Sequence, residues 1–549
     1  MKFSFHPKLI DCLPGYDRAR FGRDLSAGIV VGVLALPLSI AFAIASGATP
    51  TAGVWTAIVA GFLTSLLGGS RVQIGGPTGA FIPIIYGIVA AYGFGNLLIA
   101  TLLSGFLLLL MGAFRLGQLI RFIPVSVVIG FTNGIAVVLL LSQLKDFLGL
   151  PIADLPADFF PKLKMLAAHA DQIHLPTLLL ASTSLIFLFA YGRLTKRVVW
   201  LAKVPGPILL LVLATAATAL FSLPVDTIGS RFGGIPQELP TFAWPTFSLD
   251  ALHGLVGPAI TIALLGAIES LLSARVADNV IGDRHDPNQE LMAQGIANIA
   301  SPLFGGIPAT GALARTAANT RFGGRTPVAG MAAAVALLAI VLLFAPLAAN
   351  VPIAALSAIV VLVACNMGEW REFTRMRRFS KAYRSILVTT FLVTLVFDLT
   401  VAVELGMALA CLFFILKISR LTQVERCPLP PAAARFSERL ALWRLYGSLF
   451  FGAADKLETL LEPASGTPDV LILDMEHLVQ MDTTGQESLA HLREKLAERG
   501  CLLIVFAVHA QPGSLMYRSG FMDALGEMNR CATLDAALSR AEDVLARLN

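Results

Sequence analysis

Long apolar runs, each close to the length that crosses a lipid bilayer, follow one another along this 549-residue chain from near residue 26 to residue 416 and then cease. Measured against the roughly 20 residues needed to span hydrocarbon, they predict about fourteen segments. Their starts fall near residues 26, 52, 77, 96, 122, 176, 205, 255, 289, 309, 327, 352, 384 and 401. The third and tenth are short, and each carries a Pro/Gly break: Gly76-Pro77-Thr78-Gly79-Ala80 in the first half and Pro308-Ala309-Thr310-Gly311-Ala312 in the second. After Leu416 the pattern changes. Lys417, Arg420, Arg426 and Pro428-Leu429-Pro430-Pro431 read as an exposed linker over 418–435. Strand-like runs at 442–451, 470–475 and 502–508, with helical stretches between and after them, then predict a small α/β domain over 436–549.

The two short segments occupy matching places if spans one to seven and eight to fourteen are repeats. An odd number of spans per repeat turns the second copy over in the membrane. The predicted fold is therefore an α-helical polytopic membrane protein of 7+7 inverted repeats, with a C-terminal α/β domain. A helix that starts inside apolar surroundings leaves its first amides unpaired and its positive dipole end facing inward. Two such starts converging on one point make an anion site. Ordinary Gly/Pro kinks would explain either run singly, but not both in matching places.

Hydrophobic residues make up 56% of the chain and charged residues 14%, against a usual charged share of about 25%, so the first part of the chain must meet lipid. The net charge of +5 is modest and its basic residues lie in short loops, which argues against nucleic acid as a partner. An even span count puts Arg115 and Arg121, then Arg193, Lys196, Arg197 and Lys203, then Arg371, Arg375, Arg377, Arg378, Lys381 and Arg384 on one side. The opposite loop over 147–175 mixes Lys162 and Lys164 with Asp154, Asp158 and Asp171, and that over 223–250 has Arg231 as its one basic residue. The positive-inside rule then predicts both termini in the cytoplasm and a bacterial inner membrane location, with residues 1–25 forming a cytoplasmic N-terminal segment. The first 24 residues lack the features of a cleavable signal peptide. Cys12, Cys365, Cys411, Cys427, Cys501 and Cys531 lie far apart and read as packing residues.

Ionisable residues at membrane depth are candidates for function. Glu269 stands in an apolar run with Ser273 one turn later, which predicts a carboxylate and a hydroxyl side by side, able to hold a proton or a cation. A buried structural carboxylate is the alternative. Arg315 falls within two turns of a helix starting near Thr310, where its guanidinium would add fork-like donors for an oxyanion. Pairing with an acid or snorkelling to the interface is the alternative there. Asp398 and Glu404 flank a turn between the last two spans and read as interfacial. There is no phosphate-binding loop and no His- or Cys-rich metal cluster, so the expectation is a transporter and not an enzyme, without a cofactor or metal. His477 and His509 each stand alone.

The whole chain resembles the sulfate permease (SulP) family of anion transporters. The resemblance lies in Leu36-Pro37-Leu38-Ser39-Ile40-Ala41-Phe42-Ala43, Gly76-Pro77-Thr78, Ile268-Glu269-Ser270 and Arg315, and in Asp482-Thr483-Thr484-Gly485, which is similar to a sulfate transporter and anti-sigma factor antagonist (STAS) domain. Phe122-Ile123-Pro124-Val125-Ser126-Val127 and Lys145-Asp146-Phe147-Leu148-Gly149-Leu150 look most like the bacterial C4-dicarboxylate branch. The resemblance implies a transmembrane domain over 26–417, with a core (spans one to four and eight to eleven) moving against a gate (spans five to seven and twelve to fourteen). It places a small anion at Thr78, Gly79, Ala80, Thr310, Gly311 and Ala312, with Phe42 nearby, and cation or proton coupling at Glu269; sodium-using relatives can carry Asp there, so Glu269 leans toward H+ over Na+. It further implies a homodimer, and a tail that could bind a cytoplasmic protein or nucleotide. Thr483 takes the place of a Ser phosphorylated in soluble relatives, while a plain helix cap by Asp482 and Thr483 is the simpler reading. The expected function is proton-coupled symport of C4-dicarboxylates such as succinate, or of sulfate. Bicarbonate or chloride transport with sodium coupling or exchange is the alternative, and a membrane-anchored regulatory scaffold is the alternative of another class.

Overall fold

The computed structural model describes residues 5–118, 123–153, 155–195, 204–235, 237–245, 249–397, 399–451, 456–457, 460 and 468–548, with backbone alone for 249–253 and 399–400. Arg121, Asp154, Lys196, Arg197, Lys203 and Asp398 lie outside the described residues. The chain divides into two compact units, Met1–Met407 and Ala408–Asn549.

The first unit opens with α1 (Lys8–Cys12), α2 (Arg18–Ala45), α3 (Pro50–Leu67), the two-residue strand β1 (Gly75–Gly76), a 3-10 turn (Gly79–Phe81) leading into α4 (Ile82–Tyr92), α5 (Phe94–Ala113) and α6 (Val125–Leu148). It continues with α7 (Phe159–Ala168), α8 (Leu175–Leu194), α9 (Gly206–Leu220), α10 (Ile228–Phe232), α11 (Leu249–Ile281) and α12 (Pro287–Leu303). Then come β2 (Thr310–Gly311), α13 (Leu313–Arg321), α14 (Pro327–Ala348), α15 (Ile353–Met367), α16 (Trp370–Arg375), α17 (Lys381–Val396) and α18 (Leu399–Leu421), whose residues from Ala408 on belong to the second unit. Helix occupies every predicted span. Among the described residues nine helices are long and apolar enough to cross a membrane, and Gly79–Tyr92 and Gly206–Leu220 are shorter apolar helices. Length and composition therefore do not by themselves make all the segments full crossings. The first long apolar helix, α2, starts well before residue 26, inside the predicted N-terminal segment, because Asp17 caps it by accepting from the Arg20 amide at 2.7 Å.

Packing repeats itself between the halves. Helices α2 and α3 pack on α14 as α11 and α12 pack on α5, and α6 packs on α17 as α15 packs on α8. The pairs α3 with α12, α6 with α15 and β1 with β2 join corresponding elements of the two halves. This is the set of contacts that a pseudo-twofold relation between seven-segment halves requires. Small residues allow the close approach: a Cβ on Gly28 or Gly32 of α2 would lie 2.5 Å from a carbonyl oxygen of α14.

In the second unit β3 (Gln423–Cys427) runs antiparallel to β4 (Leu440–Leu449), which lies parallel to β5 (Val470–Met481), β6 (Leu502–Phe506) and β7 (Arg530–Cys531), in the order β3-β4-β5-β6-β7. Helices α19 (Thr483–Glu498), α20 (Ala510–Arg518) and α21 (Phe521–Leu525) contribute to one apolar cluster, and α22 (Leu534–Arg547) to a second. The predicted linker is corrected here: α18 extends to Leu421 and β3 forms within it. Gln423, Glu425 and Arg426 of β3 are exposed, as suits a charged edge strand, and that polarity is what makes the stretch resemble a linker.

Candidate anion site between the paired segments

The two Pro/Gly runs meet. Gly75 pairs with Gly311 and Gly76 with Thr310 in a two-residue antiparallel ladder, extended by the Ala312 amide donating to the Ile74 carbonyl at 2.8 Å. One helix start flanks each end of the ladder: Thr78 precedes the turn into α4, and Ala312 precedes α13. Neither start has a side-chain cap, whereas Thr49, Asp286 and Thr326 cap α3, α12 and α14. Uncapped amides and two positive dipole ends are thus held within the protein, where an anion is the natural complement.

Arg315 sits in the first turn of α13 and not deeper, because Thr310 and Gly311 are strand instead of helix. Its side chain is buried; Nη2 donates to Ser39 Oγ at 3.0 Å and to the Pro77 carbonyl at 3.4 Å, while Nε is buried without an acceptor. Among the described residues no carboxylate forms an ion pair with it. A guanidinium this deeply placed and this poorly neutralised leaves donor capacity for an oxyanion. Gly76 makes room for it: with φ at +146°, any Cβ there would stand 2.2 Å from Arg315 Nη1.

Glu269 on α11 is partly buried and accepts from Thr78 Oγ1 at 3.1 Å, so the carboxylate touches the first helix start directly. Ser273 does not join it. Its hydroxyl lies 3.5 Å from Thr316 Oγ1 on α13, and Thr316 in turn accepts from the Ile74 amide at 3.1 Å. Spacing places Glu269 and Ser273 on one side of α11, but each finds its own partner on a different half-helix. Thr310 is fully buried and donates to the Gly266 carbonyl at 2.8 Å, which ties β2 to α11. Ala80 and Ala312 are buried. Gly79 looks toward an apolar wall, since a Cβ there would meet Val363 Cγ1 at 3.4 Å, Leu139 Cδ2 at 3.6 Å and Phe42 Cε1 at 3.9 Å.

Residues that no motif singles out complete the scaffold. Gln73 Nε2 donates to Ser270 Oγ at 2.8 Å, Asn298 donates to the Ala309 carbonyl and accepts from the Ala309 amide, and Asn319 Nδ2 donates to the Val72 carbonyl at 2.9 Å. The signal for them in the chain is the spacing of Glu290, Gln294 and Asn298, four apart on α12, a polar stripe on a helix among apolar neighbours. Among the described residues no three His, Cys, Asp or Glu side chains group as metal ligands.

In the α/β domain Asp482 is the N-cap of α19, accepting from the Gly485 amide at 2.8 Å and the Phe451 amide at 3.2 Å, and Thr483 is the exposed first helical residue. Capping accounts for Asp482 without further function. Asp482→Ala is expected to destabilise the start of α19 by about 1 kcal/mol, read as roughly fivefold faster amide hydrogen exchange in its first turn. Unchanged exchange there would contradict the cap.

Uncapped half-helices paired across two repeats, within a lipid-facing helical unit followed by an α/β domain, define an integral membrane transport protein. Residues 21–390 match the sulfate permease family, and residues 432–537 match the STAS domain. YvdB of Bacillus subtilis, provisionally named a sulfate transporter, is 41% identical over 518 residues, covering 94% of this chain and 97% of its own. The bicarbonate transporter BicA of Picosynechococcus is 29% identical over 503 residues, 87% of each chain. The solved transmembrane domain of a cyanobacterial BicA superposes with a TM-score of 0.63 at 30% identity, covering 72% of this chain and 98% of that one. The murine solute carrier 26 family member A9 shares the fold, with a TM-score of 0.86 at 19% identity over 99% of this chain and 94% of that one. The chain belongs to the sulfate permease family, and is an anion transporter and not an enzyme.

Proposed function

We propose that this protein is a secondary transporter of small oxyanions, with sulfate the foremost candidate, working by proton-coupled symport. The observation that carries the reading is the pairing of Gly75–Gly76 with Thr310–Gly311, which sets two uncapped helix starts and a buried, unneutralised Arg315 around one place. The anion is held at the two helix starts, beside Thr78, Gly79, Ala80, Thr310, Gly311 and Ala312, and by the Arg315 fork, with Phe42 on the apolar side. Sulfate is favoured by the 41% identity to YvdB; bicarbonate and C4-dicarboxylates are the competitors to test. Glu269 is the coupling group. Its bond to Thr78 links its protonation state to the first helix start, so a proton and an anion can be taken up together.

The packing supports an elevator-like cycle in which α2–α5 and α11–α14 travel as one body against α6, α8, α9, α15, α17 and α18. Both termini then face the cytoplasm. The test is uptake of radiolabelled sulfate into proteoliposomes. Uptake is expected to rise with an inward proton gradient and to be blocked by unlabelled sulfate, with bicarbonate and succinate ranking the competitors. Glu269→Gln is expected to keep sulfate binding and lose the gradient dependence. Gradient-insensitive uptake by the wild type, matched by Glu269→Gln, removes the coupling role.

A further inference from the structure

Connected to the ladder through Ser270 and Gln73 lies a fully buried carboxylate that the anion site itself does not use. Glu290 of α12 accepts four hydrogen bonds from three places. Its Oε2 takes the Gly69 and Ser70 amides at 3.0 and 3.2 Å, and its Oε1 takes Gln294 Nε2 at 3.0 Å and Ser270 Oγ at 3.3 Å. Every partner donates, which is the arrangement an ionised carboxylate satisfies and a neutral acid wastes. Among the described residues no Lys or Arg forms an ion pair with it, and His285 is a basic side chain near enough to act on its charge.

Its connections run to both strands. Gly69 and Ser70 lie on the turn that leads into β1. Ser270, held by Glu290, receives Gln73 Nε2 at its hydroxyl (2.8 Å) and its carbonyl (3.1 Å). Gln73 lies flat against β2: a Cβ on Gly311 would fall 1.7 Å from that same Nε2. Ser270 is also the chain neighbour of Glu269. One carboxylate therefore fastens the approach to the first helix start and the back of the second.

We infer that Glu290 is a positioning residue for anion binding, acting through Ser270 and Gln73 to set where the Gly311 backbone stands opposite Gly75. It rests on the reading that the ladder holds the anion. The role is distinct from that of a generic core acid. Loosening the relay lets β2 relax away from Gln73, moving one of the two amide sets that meet the anion while leaving the helices packed.

The test is a double-mutant cycle on the full-length protein, with Ser270→Ala and Glu290→Gln, followed by calorimetric titration with sulfate and by uptake kinetics in proteoliposomes. Each single variant is expected to raise Kd and KM for sulfate about tenfold, with Vmax at saturation within about twofold of wild type. The double variant is expected to be no worse than Glu290→Gln alone, because both cut one chain of bonds. Wild-type affinity in both singles, or losses that multiply in the double, would overturn the relay. Should Glu290→Gln not yield monodisperse protein, Glu290→Asp, which shortens the reach to Ser270, takes its place in the cycle with Ser270→Ala and with the same expected non-additivity. Wild-type protein that binds none of sulfate, bicarbonate or succinate overturns the transport reading instead, and this inference falls with it.

Discussion

Arg315→Met is expected to abolish measurable sulfate binding while leaving the protein as heat-resistant as before, or more so. The two halves of that expectation come from different terms. Arg315 donates to Ser39 and Pro77 and has buried donor capacity to spare, so an oxyanion gains charge-assisted bonds from it, each worth about 1.5–3 kcal/mol. Two such bonds amount to a loss of at least about a hundredfold in affinity. Without anion the same guanidinium is buried without a carboxylate partner, and an apolar side chain of similar length removes a desolvation penalty of several kcal/mol for that ion. Arg315→Lys keeps the charge and loses the fork, and should fall between wild type and Arg315→Met in affinity. Calorimetric titration and thermal unfolding in detergent, run on the three proteins, read both quantities. A lower unfolding midpoint with intact sulfate affinity would reduce Arg315 to a structural residue.

Gly76→Ala is the second large effect, best judged beside Gly87→Ala. Gly76 has φ at +146° and faces Arg315 Nη1 so closely that a methyl group there must displace the guanidinium. The backbone conformation alone costs of order 1–3 kcal/mol for a residue with a Cβ. Sulfate uptake by Gly76→Ala is expected to fall more than about tenfold, since both the ladder and the arginine move. Gly87 lies within α4 with open space where its Cβ would stand, so Gly87→Ala should raise stability by about 0.5–1 kcal/mol and leave uptake intact. The same chemical change therefore has opposite outcomes at two glycines of one short segment. Equal uptake by the two variants would mean that the space beside Gly76 plays no part in transport.

Much of this site is legible in the order of residues alone. Repetition of a Pro/Gly break at matching places points to the two half-helices, and isolated ionisable residues in apolar runs point to Glu269 and Arg315. What spacing cannot convey is which neighbour a side chain meets. Ser273 lies one turn from Glu269, yet α13 passes close enough that Thr316 meets its hydroxyl first. Strands of two residues carry no alternation, so β1 and β2 leave no periodic trace, and the helix expected near Thr310 begins only at Leu313, which brings Arg315 into its first turn. Glu290 is hidden by its company. Gln289, Gln294 and Asn298 make α12 look like an ordinary amphipathic helix, although its polar stripe is turned inward on other polar groups. In the tail, charges on β3 disguise an edge strand as a connector.

The ladder between Gly75–Gly76 and Thr310–Gly311 has a consequence for how the cargo is carried. Its rungs are main-chain hydrogen bonds, and they stitch the front half of the polypeptide to the back half at the place proposed to hold the anion. Neither half owns a seat. A cut in the connection between α9 and α11 should therefore be tolerated only if the two fragments find each other again, and either fragment alone would present a single dipole end with nothing opposite it.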